Sequence, residues 1–136
     1  MIKLIKDTAN RVVVTASENV TLVAPVYFLF EFISDDTLES KFFTAEDIST
    51  NICRYNEFTV TTIGATGTED LLDGVINIPL NGYSKYNVYQ MDSPTNLDPA
   101  LTGGIVENGK VYFEGTSKPI TTAYDDNEDN TFIAYQ

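Results

Sequence analysis

Hydrophobic and polar residues alternate along much of this chain with the every-second-residue period of β-strands rather than the longer period of helices. The clearest example is the segment 26–33, where Phe28, Phe30 and Phe32 fall on one face and Glu31 falls on the other. We expect the phenylalanine face to lie in the core and Glu31 to mark the wetter side of this strand.

Similar short segments, rich in β-branched and aromatic residues, recur between clusters of turn-forming residues. The segments that predict strands are 11–16, 40–44, 57–63, 74–80, 83–90 and 131–135. The sharpest local signal is Asn108-Gly109, which lies between two further apolar runs, 105–106 and 111–113. Because Asn-Gly is a favoured pair for a type I′ turn, these residues are predicted to form a hairpin with a two-residue loop.

The pattern of about eight strands with frequent turns and no long helix predicts an all-β fold. The expected architecture is a single antiparallel β-sandwich, Ig-like or jelly-roll-like, and a barrel is the alternative. The length of 136 residues, without an internal repeat or a linker, indicates one domain over residues 1–136.

The charge of the chain is strongly acidic, with 20 Asp and Glu residues against 8 Lys and Arg residues and a net charge of −12. A field of this sign repels phosphate backbones and anionic membranes, so we expect neither nucleic acid nor a membrane as a partner. No apolar run reaches the roughly 18 residues of a membrane span. The N-terminal segment also lacks the apolar core of a signal peptide, which predicts synthesis in the cytoplasm.

The chain has no histidine, no tryptophan and one cysteine, Cys53, which we expect to be a small apolar residue that is buried or half-buried. Without histidine, serine triads, Cys–His dyads and the usual zinc sites cannot form within this chain. Acidic pairs such as Asp35-Asp36 lie in predicted loops, and nothing in the sequence selects one carboxyl as a general acid. We therefore predict a protein that is not an enzyme and that needs no cofactor.

The acidic cluster near the C-terminal end is the strongest candidate for a metal site. Asp125, Asn127 and Asp129 occupy alternate positions, like the first ligands of a calcium-binding loop. The match then fails, because Asn130 stands where the loop needs glycine and Gln136 stands where it needs a bidentate glutamate. We expect a solvated hairpin tip and no binding tighter than millimolar.

Arg54 is one of only two arginines in the chain, and it lies just before a predicted strand. Its planar fork could join a neighbouring carboxylate or loop carbonyls as a structural latch. A contact with another subunit is the alternative for this residue.

Several short motifs, taken in order, resemble small β-sandwich virion proteins encoded in the structural modules of tailed bacteriophages, including the crAss-like phages. The resemblance spans residues 7–113, and its motifs are Asp7-Thr8-Ala9-Asn10, Tyr27-Phe28-Leu29-Phe30-Glu31-Phe32, Asp47-Ile48-Ser49, Arg54-Tyr55-Asn56-Glu57-Phe58, Gly82-Tyr83-Ser84-Lys85-Tyr86-Asn87-Val88-Tyr89 and Val106-Glu107-Asn108-Gly109.

The resemblance implies a non-enzymatic structural protein of the virion, made in the host cytoplasm. A capsid auxiliary or decoration protein, bound to the phage head by protein–protein contacts, is the leading role. A head-fibre base, a head-to-tail connector component, and a carbohydrate- or receptor-binding module on the particle surface are the alternatives. The implied partners are other virion proteins, and a homo-oligomer is compatible with this role.

Docking of such a protein could use the addition of a strand to a neighbouring subunit. Residues 1–10 are the candidate docking arm, and within it Ile2, Leu4 and Ile5 are the apolar residues expected to contact a partner. Lys3 and Lys6 could pair there with acidic neighbours.

Overall fold

A computed structural model describes residues 1–51, 53–64, 66–78 and 82–115 of the chain. These residues form eight β-strands and two short 3-10 helices, and the predicted all-β class is confirmed. In chain order the strands are β1 Ile2–Ile5, β2 Ala9–Val14, β3 Tyr27–Ser34, β4 Ser40–Thr44, β5 Asn56–Ile63, β6 Val75–Asn77, β7 Gly82–Met91 and β8 Ile105–Glu114. The helices are Ala16–Asn19 and Pro99–Leu101. The strand predicted at 131–135 lies outside the described residues.

The strands form two sheets that pack face to face, so the prediction of a sandwich is confirmed. A five-stranded sheet has the order β1-β8-β7-β3-β4, and a three-stranded sheet has the order β2-β5-β6. Within the described ranges, four strand pairings are antiparallel, whereas β1–β8 and β5–β6 are parallel. The sheets are therefore mixed rather than purely antiparallel, because β1 lies beside a strand from the far end of the described chain.

The core between the sheets is built on phenylalanine rings. Phe30 of β3 stacks on Phe43 of β4 with ring centroids 5.2 Å apart, and it meets the edge of Phe58 from the other sheet at 4.9 Å. Phe28 contacts the same Phe58 ring at 6.0 Å, and all four rings are buried. The phenylalanine face predicted from the alternation in β3 is thus the face that joins the two sheets.

The opposite face of β3, which carries Glu31, is less exposed than the sequence predicted. Glu31 is only 8% exposed, although alternation placed it on the wetter side. Residues of the neighbouring strands cover its carboxylate, since Asn87 and Tyr89 of β7 and Ser40 of β4 all hydrogen-bond to it. Glu31 is therefore buried by partners that lie far from it in the sequence.

The hairpin predicted at Asn108-Gly109 is wrong, because both residues lie inside the single long strand β8. Asn108 pairs with Asn87 and Gly109 pairs with Tyr86 on β7. Positive φ angles occur elsewhere among the described residues, and neither position adopts one. A Cβ atom at residue 109 would lie 2.9 Å from the Tyr86 ring, so the glycine makes room for that ring.

Candidate functional site

The candidate docking arm is part of the sandwich. Ile2 and Leu4 are 6% and 0% exposed, and their strand β1 pairs in parallel with β8. Ile5, at 40% exposure, lies on the outside of the same strand. Residues 1–10 are therefore not a free arm in this structure, because apolar side chains at alternate positions fit the core of their own domain.

Arg54 and Cys53 lie in an exposed turn before β5. Among the described residues no ion pair involves Arg54, so the latch to a carboxylate is not formed there. The backbone N–H of Arg54 donates to the carbonyl of Asn51 at 2.9 Å and closes the turn. Cys53 is exposed, so the expectation that it is buried or half-buried is wrong.

The candidate metal ligands Asp125, Asn127 and Asp129 lie outside the described residues. Within the described ranges, no group of three or more Cys, Asp or Glu side chains is arranged to hold a metal ion. In the same part of the chain, no helix has the length and apolar character that a membrane crossing requires.

Glu31 is the centre of a polar cluster on the outer face of the five-stranded sheet. Its Oε1 accepts hydrogen bonds from Tyr89 OH at 2.7 Å and from Asn87 Nδ2 at 3.0 Å, and its Oε2 accepts one from Ser40 Oγ at 2.7 Å. Burial alone would raise the pKa of Glu31, but the hydrogen bonds from Asn87, Ser40 and Tyr89 outweigh it and lower the pKa. Glu31 is thus held ionised by neutral donors.

Asp47 organises a second polar cluster, at one end of the sandwich. Its Oδ2 accepts from Asn56 Nδ2 at 2.6 Å, and its Oδ1 accepts from the backbone N–H groups of Ser49 and Glu57 at 3.0 and 3.2 Å. Asn56, which is fully buried, also accepts from the Ser17 N–H at 2.9 Å. Burial tends to raise the pKa of Asp47, but these hydrogen bonds outweigh burial and lower it. The cluster ties the first 3-10 helix to β5.

A groove of about 460 Å³ opens beside Asp47. Its walls include the aromatic residues Tyr27, Phe28 and Phe58, and Glu46 lies at its rim. A glycosidase-type general acid needs a carboxyl whose pKa is raised. The pKa of Asp47 is lowered instead, so Asp47 does not suit that role.

The outer face of the five-stranded sheet carries a pair of tyrosines, of which Tyr83 is exposed and Tyr112 is half-buried. Tyr83 of β7 and Tyr112 of β8 are directly opposite each other, and their ring centroids are 4.8 Å apart. Tyr83 is 59% exposed. Lys3 of β1 pairs with Tyr112 in the sheet and forms an ion pair with Glu114 at 2.8 Å. The two tyrosine rings therefore form a small aromatic surface on the outer face of the sheet.

Next to this pair lies the outer-face hollow, which we define by Lys85, Lys110, Asn87 and Asn108. Lys85 is directly opposite Lys110, and Asn87 is directly opposite Asn108, on the neighbouring strands β7 and β8. These side chains surround a shallow hollow of about 280 Å³. Lys110 forms an ion pair with Asp35 at 3.3 Å, whereas Lys85 has no ion pair among the described residues.

Within the described part of the chain, β2 is an edge strand of the three-stranded sheet, with no strand paired on its side away from β5. The N–H of Thr62 donates to the carbonyl of Thr8 at 3.1 Å, so these two opposite residues form a hydrogen-bonded pair. Because hydrogen-bonded and non-hydrogen-bonded pairs alternate along antiparallel strands, this pair shows which residues of β2 bond to β5. The even-numbered residues of β2 therefore direct their backbone groups at β5, while Arg11 and Val13 direct theirs away from the sheet. Val13, whose backbone groups point away from β5, also has a side chain that is 44% exposed.

Comparisons with known proteins add little to this geometry. No protein-family model matches the chain, and no curated protein matches it significantly. Among solved structures, the chain matches the crystal structure of a proposed glycoside hydrolase from Bacteroides vulgatus ATCC 8482 with 12% identity and a TM-score of 0.43. The match covers 87% of this chain but only 17% of that protein. A likeness this distant carries no argument about the activity of the present chain.

Sequence reasoning missed the outer-face hollow and the Glu31 cluster. Lys85 and Lys110 are far apart in the sequence, and only the register of β7 with β8 brings them together. Tyr83 and Tyr86 lie on opposite faces of β7, since Tyr86 is buried and Tyr83 is exposed.

Proposed function

We propose that this protein is a non-enzymatic structural protein of a phage virion, a capsid auxiliary or decoration protein that binds the head by protein–protein contacts. The sequence resemblance over residues 7–113 motivates the proposal. The strongly acidic charge of −12 fits a protein on the outer shell that does not adhere to packaged DNA.

The observation that carries the protein-binding part of the proposal is the outer edge of β2, beside which the described residues place no strand. A strand edge of this kind, with Val13 exposed beside it, is a template for a strand from a neighbouring subunit. The chain would then accept a strand rather than donate its own N-terminal segment, because Ile2 and Leu4 are already buried in the core.

The first test is the composition of the particle. Virions of the phage that encodes the chain should be purified by density gradient and analysed by quantitative mass spectrometry. We expect the chain at a fixed ratio to the major capsid protein. Absence of the chain from intact, washed virions would overturn the virion assignment.

The second test addresses the β2 edge. Val13→Pro removes a backbone N–H that points away from the sheet, so the intramolecular ladder is kept and strand addition is blocked. Val13→Thr keeps the N–H and is the matched control. We expect wild type and Val13→Thr to sediment with phage heads that lack the protein, and Val13→Pro to stay in the supernatant with an unchanged circular dichroism spectrum. Equal binding by all three proteins would exclude this edge as the docking site.

Solution mass distinguishes the related roles. A decoration protein that docks on a preformed lattice should be a monomer in multi-angle light scattering. A stable ring or trimer without the particle would favour the head-to-tail connector or the fibre base. The carbohydrate- or receptor-binding role is favoured by one specific observation, the Tyr83–Tyr112 pair, in which Tyr83 is exposed.

A further inference from the structure

A second hollow, of about 320 Å³, lies next to the groove beside Asp47. The two spaces have Val26, Phe28 and Asp47 in common as lining residues, so they lie side by side at the end of the sandwich where β3 begins and β4 ends. The second hollow adds apolar side chains from the loop before β3, among them Val20 and Leu22. We call the two spaces together the acidic groove.

The carboxylates of the acidic groove have no cationic partner within the described ranges. Asp47 and Glu46 line the groove, whereas no described lysine or arginine does, and neither carboxylate takes part in an ion pair there. Asp47 is half-buried, and its hydrogen-bond donors, the Asn56 side chain and two backbone N–H groups, are neutral. These donors hold the charge in place without cancelling it, and a cleft lined by one sign of charge attracts the opposite sign.

Apolar side chains surround these two charges. Buried Phe28 and Phe58 and half-buried Tyr27 line the groove. Leu72, which also lines it, is 46% exposed. Val23, whose two chain neighbours line the second hollow, is 89% exposed, the highest value for a large apolar side chain in the described part of the chain. Exposed apolar groups rimmed by polar ones are typical of a surface that a partner covers.

Buried amide side chains fix both sides of the acidic groove. Gln90, which is 4% exposed, accepts from the N–H groups of Thr21 and Leu22 at 2.8 and 3.1 Å and thereby holds the loop before β3. Asn56, which is fully buried, donates to Asp47 at 2.6 Å and holds the other side. The groove is therefore formed before a ligand arrives, which lowers the entropic cost of binding.

The chemistry of the acidic groove restricts its occupant. An anion would meet two carboxylates and no described cation. A metal ion is disfavoured, because no group of three or more Cys, Asp or Glu side chains is arranged to hold one in the described part of the chain. A lysine or arginine side chain suits the groove, since its charge pairs with a carboxylate and its stem or planar head packs on aromatic rings. A peptide also brings apolar neighbours that cover Val23 and Leu72, which a free cation would leave exposed.

We propose that the acidic groove binds a segment of a partner protein in which a lysine or arginine is flanked by apolar residues. The basic side chain lies between Asp47 and Glu46 and packs on Tyr27, and its apolar neighbours cover Leu72 and Val23. The net charge of −12 favours the approach of such a segment. This inference does not rest on the virion assignment, since all the lining residues belong to one copy of the chain.

The first experiment selects ligands from peptides of random sequence. A bead-bound library of random nonapeptides is incubated with the fluorescently labelled full chain at physiological salt, and the peptides on the brightest beads are sequenced. We expect most of them to contain a lysine or arginine with apolar residues on both sides. A set of selected peptides without basic residues would overturn the proposal.

Calorimetric titration of the best peptide then tests each part of the recognition. Replacing its basic residue by the uncharged citrulline should weaken binding by at least about tenfold. Replacing its apolar residues by glycine should weaken binding by a similar factor. The affinity of the unaltered peptide should fall as salt rises. Equal affinity of the glycine version would identify a free organic cation, rather than a peptide, as the class of ligand.

Variants of the chain locate the site. Glu46→Gln and Leu72→Ser change exposed residues, so both variants should fold, and each should weaken binding by about threefold or more. Asp36→Asn is the matched control, because it removes one negative charge from an exposed turn at the other end of β3 and should leave affinity unchanged. Asp47 is left intact, since its hydrogen bonds hold the fold.

Three further outcomes would overturn the proposal. Equal loss of affinity in Asp36→Asn and Glu46→Gln would show attraction by charge without a site. Unchanged affinity in both Glu46→Gln and Leu72→Ser would place the peptide elsewhere on the surface. Failure of the folded wild-type chain to select any peptide would remove the site altogether, and it would leave the particle-composition test of the virion assignment unaffected.

Discussion

The side-chain amide of Asn10 binds both backbone polar groups of Ile5. Asn10 Oδ1 accepts from the Ile5 N–H at 2.9 Å, and Asn10 Nδ2 donates to the Ile5 carbonyl at 3.0 Å. Ile5 belongs to the five-stranded sheet and Asn10 to the three-stranded sheet, so one carboxamide links the two layers. The Asn10 side chain thus hydrogen-bonds the backbone N–H and carbonyl of Ile5 at the edge of β1, as a neighbouring strand would.

Replacing Asn10 tests this link. Asn10→Asp keeps one acceptor but directs a carboxylate oxygen at the carbonyls that Nδ2 now serves, in a residue that is 8% exposed. We expect a loss of about 2 kcal/mol or more in the free energy of unfolding, measured with urea. The exposed Asn108→Asp is the control and should change stability by less than about 0.5 kcal/mol. Equal stability of the two variants would contradict the structural role of Asn10.

The N-terminal strand should be essential for stability. Leu4→Ala removes a fully buried side chain, and we expect it to cost about 2 to 5 kcal/mol in urea unfolding. Ile5→Ala, on the outside of the same strand, should cost less than about 1 kcal/mol. A free docking arm would instead tolerate both substitutions without a change in stability.

Gly109→Ala should destabilise the protein through a clash with Tyr86. The added Cβ would lie 2.9 Å from the ring, and the ring is held by a hydrogen bond of 2.7 Å from its hydroxyl to Glu107 Oε2. We expect a loss of about 1 to 3 kcal/mol. In a double-mutant cycle, Tyr86→Ala should relieve the penalty by more than about 0.5 kcal/mol. Strictly additive effects would point to a requirement of the backbone at residue 109 instead.

Alkaline pH should destabilise the protein in part through Tyr89. Burial, and then the hydrogen bond to Glu31 and its charge, raise the pKa of Tyr89 to about 12. The unfolded value is about 10, so the stability from this tyrosine is present below about pH 10 and is lost as pH rises through 12. Tyr89→Phe should therefore flatten the decline of the urea midpoint over this range, while Tyr83→Phe on the exposed surface should not. An unchanged decline in Tyr89→Phe would contradict the raised pKa of Tyr89.

Alternation along single strands predicted much of this fold. The phenylalanine face of β3 lies in the core, and β4 has the predicted bounds 40–44. Such predictions succeed because the pleat places every second side chain on one face, whatever the strand pairs with. The same logic does not reveal pairing, which explains why the hairpin at Asn108-Gly109 was wrong.

The candidate site was much less visible in the sequence. Lys85 and Lys110 are ordinary exposed lysines of two different strands, and their opposition follows from a register that the pattern does not encode. For a related reason, the sequence did not show that the N-terminal segment is part of the sandwich. Ile2 and Leu4 are apolar in any context, and only the sandwich shows that their own core covers them.

The sequence by itself determined the all-β class, the faces of the principal strands and the strongly acidic charge. These three properties depend on the local alternation of residues and on composition, and neither changes with the conformation of the chain. Tertiary structure alone decided the parallel pairing of β1 with β8, the burial of Glu31 and the meeting of Lys85 with Lys110. Each of these depends on which distant strands become neighbours, and that choice is made by packing two sheets around a shared core.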